Sequence, residues 1–113
     1  MHEVALVAEL VDAAVAYAAG RPVREVRIRY ASTVPEDVLL QAWTMLVAAG
    51  PLEAAELRAE PFDLVLACPC GYDGPLGHDD VIGPGQAVCP WCSELRAIPV
   101  TPELLLVEVV PAT

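Results

Sequence analysis

Residues 68–92, CPCGYDGPLGHDDVIGPGQAVCPWC, decide the fold of this chain. They contain all four cysteines, in two tight pairs, Cys68-Pro69-Cys70 and Cys89-Pro90-Trp91-Cys92. The segment between the pairs, 71–88, carries five glycines, two prolines and three aspartates, which predicts a loop without a core of its own. Two cysteine pairs folded together are the ligand set of a tetrahedral metal site. We therefore expect a structural zinc bound by Cys68, Cys70, Cys89 and Cys92.

Two features of this stretch leave alternatives open. The first pair is Cys-x-Cys, one residue shorter than the common Cys-x-x-Cys. His78, in the loop between the pairs, offers an imidazole that could replace one sulfur ligand, although a loop histidine is usually just solvated. A rubredoxin-like iron, a redox disulfide or unmetallated thiols would also fit the four cysteines. With four cysteine ligands the metal has no open position for water, which favours a structural role over a catalytic one.

The charge balance disfavours one class of partner. The 113 residues include sixteen acidic residues, six arginines and no lysine, which gives a formal net charge of −10 at pH 7. Proteins bind phosphate backbones through cationic contacts, so we expect no nucleic-acid partner. Attraction to metal cations or to a basic protein partner stays open.

The apolar segments point to a protein that stays out of the membrane. Each apolar run is interrupted well before the roughly 20 residues that a membrane-spanning helix needs. The sequence starts Met1-His2-Glu3, without a basic segment ahead of an apolar one, which is not the pattern of a secretory signal. We therefore expect a cytoplasmic, reducing location, where closely spaced cysteines hold metals more often than they form disulfides.

The first half of the chain predicts a helix, a strand and a second helix. Apolar residues recur at helical spacing over 3–19, and Gly20 ends that pattern. Residues 23–30 alternate apolar and charged side chains, which predicts a strand with one solvated face. Thr33-Val34-Pro35-Glu36 is typical of a helix start with a threonine cap, and Gly50-Pro51 ends the second helix.

The second half predicts strands around the cysteine lobe. We expect strands over 55–60 and 62–67, separated by Pro61, a short strand over 95–100, and a strand buried on nearly both faces over 104–110. The order predicts an α+β fold: two helices packed on a small, mainly three-stranded sheet, with an inserted zinc-ribbon-like lobe and a C-terminal strand returning to the sheet. The expected domains are 1–61 with 101–113, and 62–100.

A second candidate metal site lies at the start of the sequence. The terminal amine, the backbone nitrogens of His2 and Glu3, and one imidazole nitrogen can be gathered around a single cation. Nitrogen-rich tetragonal coordination favours Ni(II) or Cu(II). A single histidine near a terminus is more often without any role, so the spacing alone leaves both interpretations open.

Arrangements for catalysis are poor. Ser32 and Ser93 lack a Gly-x-Ser-x-Gly context, and neither a Gly-rich phosphate loop nor a His-Glu-x-x-His pair is present in the sequence. The acidic pair Asp79-Asp80 beside His78 is best explained as a solvated loop. We therefore do not expect an enzyme.

The whole pattern resembles the HypA family of nickel metallochaperones, which mature [NiFe] hydrogenases and, in some organisms, urease. The resemblance extends over nearly the full chain and rests on four motifs: Met1-His2-Glu3, Val34-Pro35-Glu36 with Ala42-Trp43, Cys89-Pro90-Trp91-Cys92, and the apolar strand 104–110.

The resemblance implies a specific set of sites and partners. His2 and the adjacent backbone nitrogens would bind Ni(II), Glu3 would tune or join that site, and the four cysteines would hold a structural zinc. The implied partners are a HypB-type GTPase and the large subunit of a [NiFe] hydrogenase. The competing hypothesis is a zinc-ribbon module that docks another protein and makes no use of His2.

Overall fold

The structure, a computed structural model, describes residues 2–112, and for His2 only the backbone. Two helices and eight strands make up the fold. In chain order they are α1 (His2–Ala18), β1 (Val23–Ala31), α2 (Glu36–Val47), β2 (Glu56–Phe62), β3 (Val65–Ala67), β4 (Asp73–Pro75), a 3₁₀ turn (His78–Asp80), β5 (Val81–Gly83), β6 (Gln86–Val88), β7 (Leu95–Ala97) and β8 (Leu104–Pro111).

The main sheet has the strand order β2-β1-β8, with β1 in the centre. Strand β2 runs parallel to β1, because α2 carries the chain back across the sheet between them. Strand β8 runs antiparallel to β1 after the whole cysteine lobe has been completed. The predicted return of the C-terminal strand to the first sheet is therefore confirmed, and so is the α+β class.

Both helices pack on one face of this sheet. The buried cluster takes Val7, Leu10, Ala14 and Ala18 from α1, Leu39, Ala42, Trp43 and Val47 from α2, and Val26, Ile28 and Tyr30 from β1. The side chains of β1 alternate as the sequence predicted, since these three residues point to the helices and the arginines point away. Helices α1 and α2 also contact each other, and the buried cluster includes the small side chains of Ala14, Ala18 and Ala42.

The opposite face of the sheet is open and charged. Glu25 is buried there, and its carboxylate accepts hydrogen bonds from Arg27 on its own strand, at 2.8 Å, and from Arg58 on β2. Arg27 also lies 3.6 Å from Glu108 on β8. These contacts tie the three strands together on the face that no helix covers.

The cysteine lobe forms a second, smaller body. Strands β3 and β4 form a hairpin, and β5, β6 and β7 form an antiparallel sheet. Its buried cluster contains Leu66, Cys68, Leu76, Ala87 and Cys89, and the partly buried Leu64 packs against both clusters. The molecule measures 52 × 24 × 19 Å, and its radius of gyration of 16.3 Å exceeds the about 13 Å of a compact chain of this length.

Several local predictions are wrong. Segment 71–88 is not a plain loop, because it contains β4, the 3₁₀ turn, β5 and β6. Pro61 does not end a strand: β2 continues to Phe62, since β2 is an edge strand and a missing N–H is tolerated there. Thr33 is buried and is not a helix cap; α2 is capped at Pro35 without a side-chain hydrogen bond.

The last strand is also more exposed than predicted. Val107 in β8 is 55% exposed, and Glu108 beside it lies on the open face of the sheet. A register shift between β1 and β8 at this point places both residues toward solvent. Among residues 2–112, no helix is long and apolar enough to cross a membrane.

Candidate metal centre

The first cysteine pair lies in the turn between β3 and β4. The N–H of Cys68 donates to the carbonyl of Tyr72, at 2.7 Å, and the N–H of Gly71 donates to the carbonyl of Cys68, at 2.9 Å. Gly71 has a φ of 109°, which side chains disfavour, so glycine allows the shortened pair to close into a turn. Cys68 is buried and Cys70 is exposed.

The second pair lies in the turn between β6 and β7. The N–H of Ser93 donates to the carbonyl of Cys89, at 2.9 Å, and the N–H of Cys89 donates to the carbonyl of Glu94, at 3.0 Å. Ser93 takes a φ of 62° just after Cys92, which reverses the chain into β7. Each pair is thus held in a hydrogen-bonded turn between two short antiparallel strands.

The two turns bring all four sulfurs together. The Sγ atoms of Cys68, Cys70, Cys89 and Cys92 all lie within 4.8 Å of one another. Across the turns, Cys68 Sγ lies 3.7 Å from Cys92 Sγ, and Cys70 Sγ lies 3.6 Å from Cys89 Sγ. Four sulfurs at about 2.3 Å from a zinc ion would be about 3.8 Å apart in a regular tetrahedron, so the donor set fits zinc. A disulfide would need about 2.0 Å.

The four thiols perturb one another strongly. The backbone N–H of Cys70 is the main factor that lowers the pKa of Cys68 to about 6. For Cys70, the backbone N–H of Tyr72 acts to lower the pKa, but partial desolvation and the neighbouring thiols outweigh it and raise the pKa to about 12. Thiolates this close repel one another, so the Cys70 thiol, whose pKa is raised, keeps its proton until a cation neutralises the group. A metal held here would displace that proton.

Arg96 on β7 also touches the cluster. Its Nε donates a hydrogen bond to Cys68 Sγ, at 3.3 Å. Sequence reasoning missed this residue, because the contact depends on the pairing of β7 with β6. No local signal in the sequence marks this contact; only the structure shows that Arg96 is less exposed than Leu95 and Ala97 on either side.

Aromatic side chains connect the two turns. Tyr72 and Trp91 meet edge to face, with ring centroids 5.3 Å apart. Trp91 is 69% exposed, and its ring lies at the surface beside Gly71 and Tyr72 of the first turn.

His78 does not belong to the sulfur cluster. The group of ligand atoms within 4.8 Å consists of the four cysteines. The imidazole instead contacts the main body, where His78 Nδ1 makes a hydrogen bond with the carbonyl of Thr33. The arrangement therefore favours four cysteine ligands over a ligand set in which His78 replaces one of them.

The second candidate site, at His2 and Glu3, lies at the start of α1. The side chain of His2 and all of Met1 lie outside the described residues, so the proposed nickel ligands are only partly placed. Glu3 lines a groove of about 350 Å³ between the two bodies, together with Thr33, Val34, His78 and Glu103. The structure thus places Glu3 in this groove and separate from the four cysteines.

A comparison with protein families matches residues 1–110 to a family described as HypA, hydrogenase/urease nickel incorporation, metallochaperone. The chain belongs to the HypA family. Members of this family are nickel metallochaperones, and they bind nickel and a structural zinc. The resemblance inferred from the sequence motifs is therefore confirmed.

Solved structures agree on the fold. The solution structure of the Ni metallochaperone HypA from Helicobacter pylori superposes with a TM-score of 0.61 at 17% sequence identity. The alignment covers 96% of this chain and 96% of that one. No curated protein matches the sequence.

Proposed function

We propose that this chain binds Ni(II) at its N-terminus through His2 and Glu3 and hands it over during maturation of a [NiFe] hydrogenase in the cytoplasm. Its four cysteines hold a structural zinc, and it works by binding and release without catalysing a reaction. The observation that carries the proposal is the family match over residues 1–110, in a chain that begins Met1-His2-Glu3.

The start of α1 supports a nickel site there. The first four N–H groups of an α-helix have no acceptor within the helix, and those of His2 and Glu3 are among them. A metal can therefore use these backbone nitrogens without breaking a helical hydrogen bond. The groove beside Glu3 leaves room for a partner protein to reach the ion.

The separation of the two candidate sites supports their different roles. A four-cysteine site inside a lobe releases its metal only when the lobe opens, which suits a structural ion. A site at the end of a helix exchanges its ligands without disturbing a buried cluster, which suits an ion that is delivered. The proposed recipients are a HypB-type GTPase and the hydrogenase large subunit.

The test replaces one ligand in protein with its native first residue. His2→Ala is expected to abolish tight Ni(II) binding in calorimetry, while zinc content and the far-UV circular dichroism spectrum stay unchanged. Glu3→Gln is expected to weaken nickel binding, whereas Glu9→Gln, an exposed acid on the same helix, is the matched control and leaves it unchanged.

A second measurement separates nickel delivery from plain protein docking. Acetylation of the N-terminus removes an amine ligand and should weaken nickel binding strongly. If the acetylated protein and His2→Ala both bound nickel as tightly as the unmodified wild type, the proposal would be contradicted and a zinc-ribbon interaction module would be favoured.

A further inference from the structure

The two cysteine turns differ in how their backbone supports the first sulfur. In the second turn, burial acts to raise the pKa of Cys89, but it is outweighed by the backbone N–H groups of Trp91 and Cys92, which lower the pKa. These are the second and third residues after that cysteine. Such N–H donors stabilise thiolate ligands and fix their orientation toward a metal.

The first turn lacks the second of these donors. The N–H of Cys70, the second residue after Cys68, acts on the Cys68 sulfur as in the other turn. The third residue is Gly71, and its N–H points instead to the Cys68 carbonyl, at 2.9 Å. The shortened Cys-x-Cys spacing has thus directed one amide donor away from the sulfur.

Arg96 supplies a side-chain donor to the same sulfur. In the antiparallel pairing of β6 and β7, Arg96 is opposite Ala87, two residues before Cys89. From this position its Nε reaches Cys68 Sγ, at 3.3 Å. The side chain is half-buried, whereas Leu95 and Ala97 on either side are exposed, so Arg96 is directed at the cluster.

Arg96 also brings a positive charge to the cluster. Segment 62–100 contains five acidic residues and the four cysteines, and Arg96 is its only arginine or lysine. A zinc ion bound by four thiolates carries a formal charge of −2. A guanidinium in contact with one of the sulfurs offsets part of that charge.

We propose that Arg96 is a positioning residue of the four-cysteine centre, in which its Nε–H replaces the amide donor that the Cys68-Pro69-Cys70 turn has lost. The residue acts through Cys68 and does not itself bind the metal. This inference concerns how the lobe retains zinc, so its failure would leave the proposed nickel function untouched.

The first test compares zinc affinity in competition with a chromophoric chelator. Arg96→Met, which keeps much of the side-chain volume, is expected to weaken zinc binding about 10- to 100-fold, the usual loss when a ligand's supporting hydrogen bond is removed. Arg96→Lys retains a charged donor and should lose less. Arg24→Met removes an exposed arginine from the main sheet and is the matched control, with unchanged affinity.

The absorption spectrum of the Co(II)-substituted protein distinguishes loss of the hydrogen bond to sulfur from a change in packing. A donor to sulfur lowers the energy of its lone pairs, so the sulfur-to-cobalt charge-transfer band of the Co(II) form should shift to longer wavelength in Arg96→Met and not in Arg24→Met. Unchanged zinc affinity in Arg96→Met, or an equal loss in Arg96→Met and Arg96→Lys, would overturn the proposal.

The decisive test restores the missing amide. Insertion of one alanine between Pro69 and Cys70 recreates a Cys-x-x-Cys turn, whose additional N–H can donate to Cys68. If Arg96 replaces that amide, Arg96→Met should weaken zinc binding much less in the insertion background than in the natural one. A loss of the same size in both backgrounds would contradict the replacement.

Discussion

Glu25 shows how one residue joins the strands of the main sheet. Its carboxylate is buried beneath Arg27 and Arg58, which come from two neighbouring strands. The hydrogen bond from Arg27 contributes most, and that from Arg58 next, to lowering the pKa of Glu25 below 4.5. A carboxyl group with a lowered pKa stabilises the fold above its unfolded-state pKa, and this stabilisation is lost as the pH falls through the folded-state value.

Glu25→Gln should therefore lower stability at neutral pH, and the difference from the wild type should shrink as the pH falls below 4.5. Urea unfolding followed by circular dichroism at 222 nm, from pH 7 to pH 3, measures both effects. Glu108→Gln is the control, because Glu108 is exposed and lies 3.6 Å from Arg27, and it should change stability by less than about 0.5 kcal/mol. A Glu25→Gln difference that stays constant over this pH range would contradict the assignment.

Residue types alone predicted the cysteine cluster but not its supporting contacts. Four cysteines in two pairs can be recognised from spacing, because the chemistry of sulfur restricts what they do. Arg96 and Glu25 gain their roles from strand pairing, which brings residues 28 and 33 positions apart into contact. Nothing local in the sequence marks those pairs, so neither role could be predicted.

At the scale of elements, the repeat of apolar positions predicted the long helices and strands correctly. Both helices and β1 span nine residues or more, and each shows a clear repeat of apolar positions. Strands β4 to β7 have three residues each, which is too short for an alternating pattern to stand out from a Gly-rich loop. The predicted strand end at Pro61 was wrong for a different reason: a proline is tolerated in β2 because β2 is an edge strand.

The burial pattern of α2 predicts a sharp difference between two adjacent leucines. Leu39 is fully buried against the sheet, whereas Leu40 is 41% exposed. Leu39→Ala leaves a cavity and should lower the free energy of unfolding by about 2–5 kcal/mol. Leu40→Ala removes the same atoms from a surface position and should cost less than about 1 kcal/mol. Urea unfolding at 222 nm, which follows the helices, compares the two variants, and equal losses would contradict this packing.

At the scale of the whole molecule, the two bodies rely on different sources of stability. The main body buries a cluster that spans both helices and the central strand. The cysteine lobe buries five residues, and two of them are cysteines of the metal centre. Few apolar side chains remain to hold that lobe together without a metal. Small units with so little core often depend on a metal site for folding.

This contrast predicts what removal of zinc does. A strong chelator should unfold segment 62–100 and leave 1–61 and 101–113 folded, in keeping with the proposed division into two domains. In hydrogen exchange measured by mass spectrometry, the amides of β3 to β7 should lose protection, while those of α1, α2 and β1 keep it, since their core lies in the other cluster. Cys89→Ser should show the same pattern without chelator and change no further when it is added. Loss of protection throughout the chain would instead mean that the two bodies unfold as one unit.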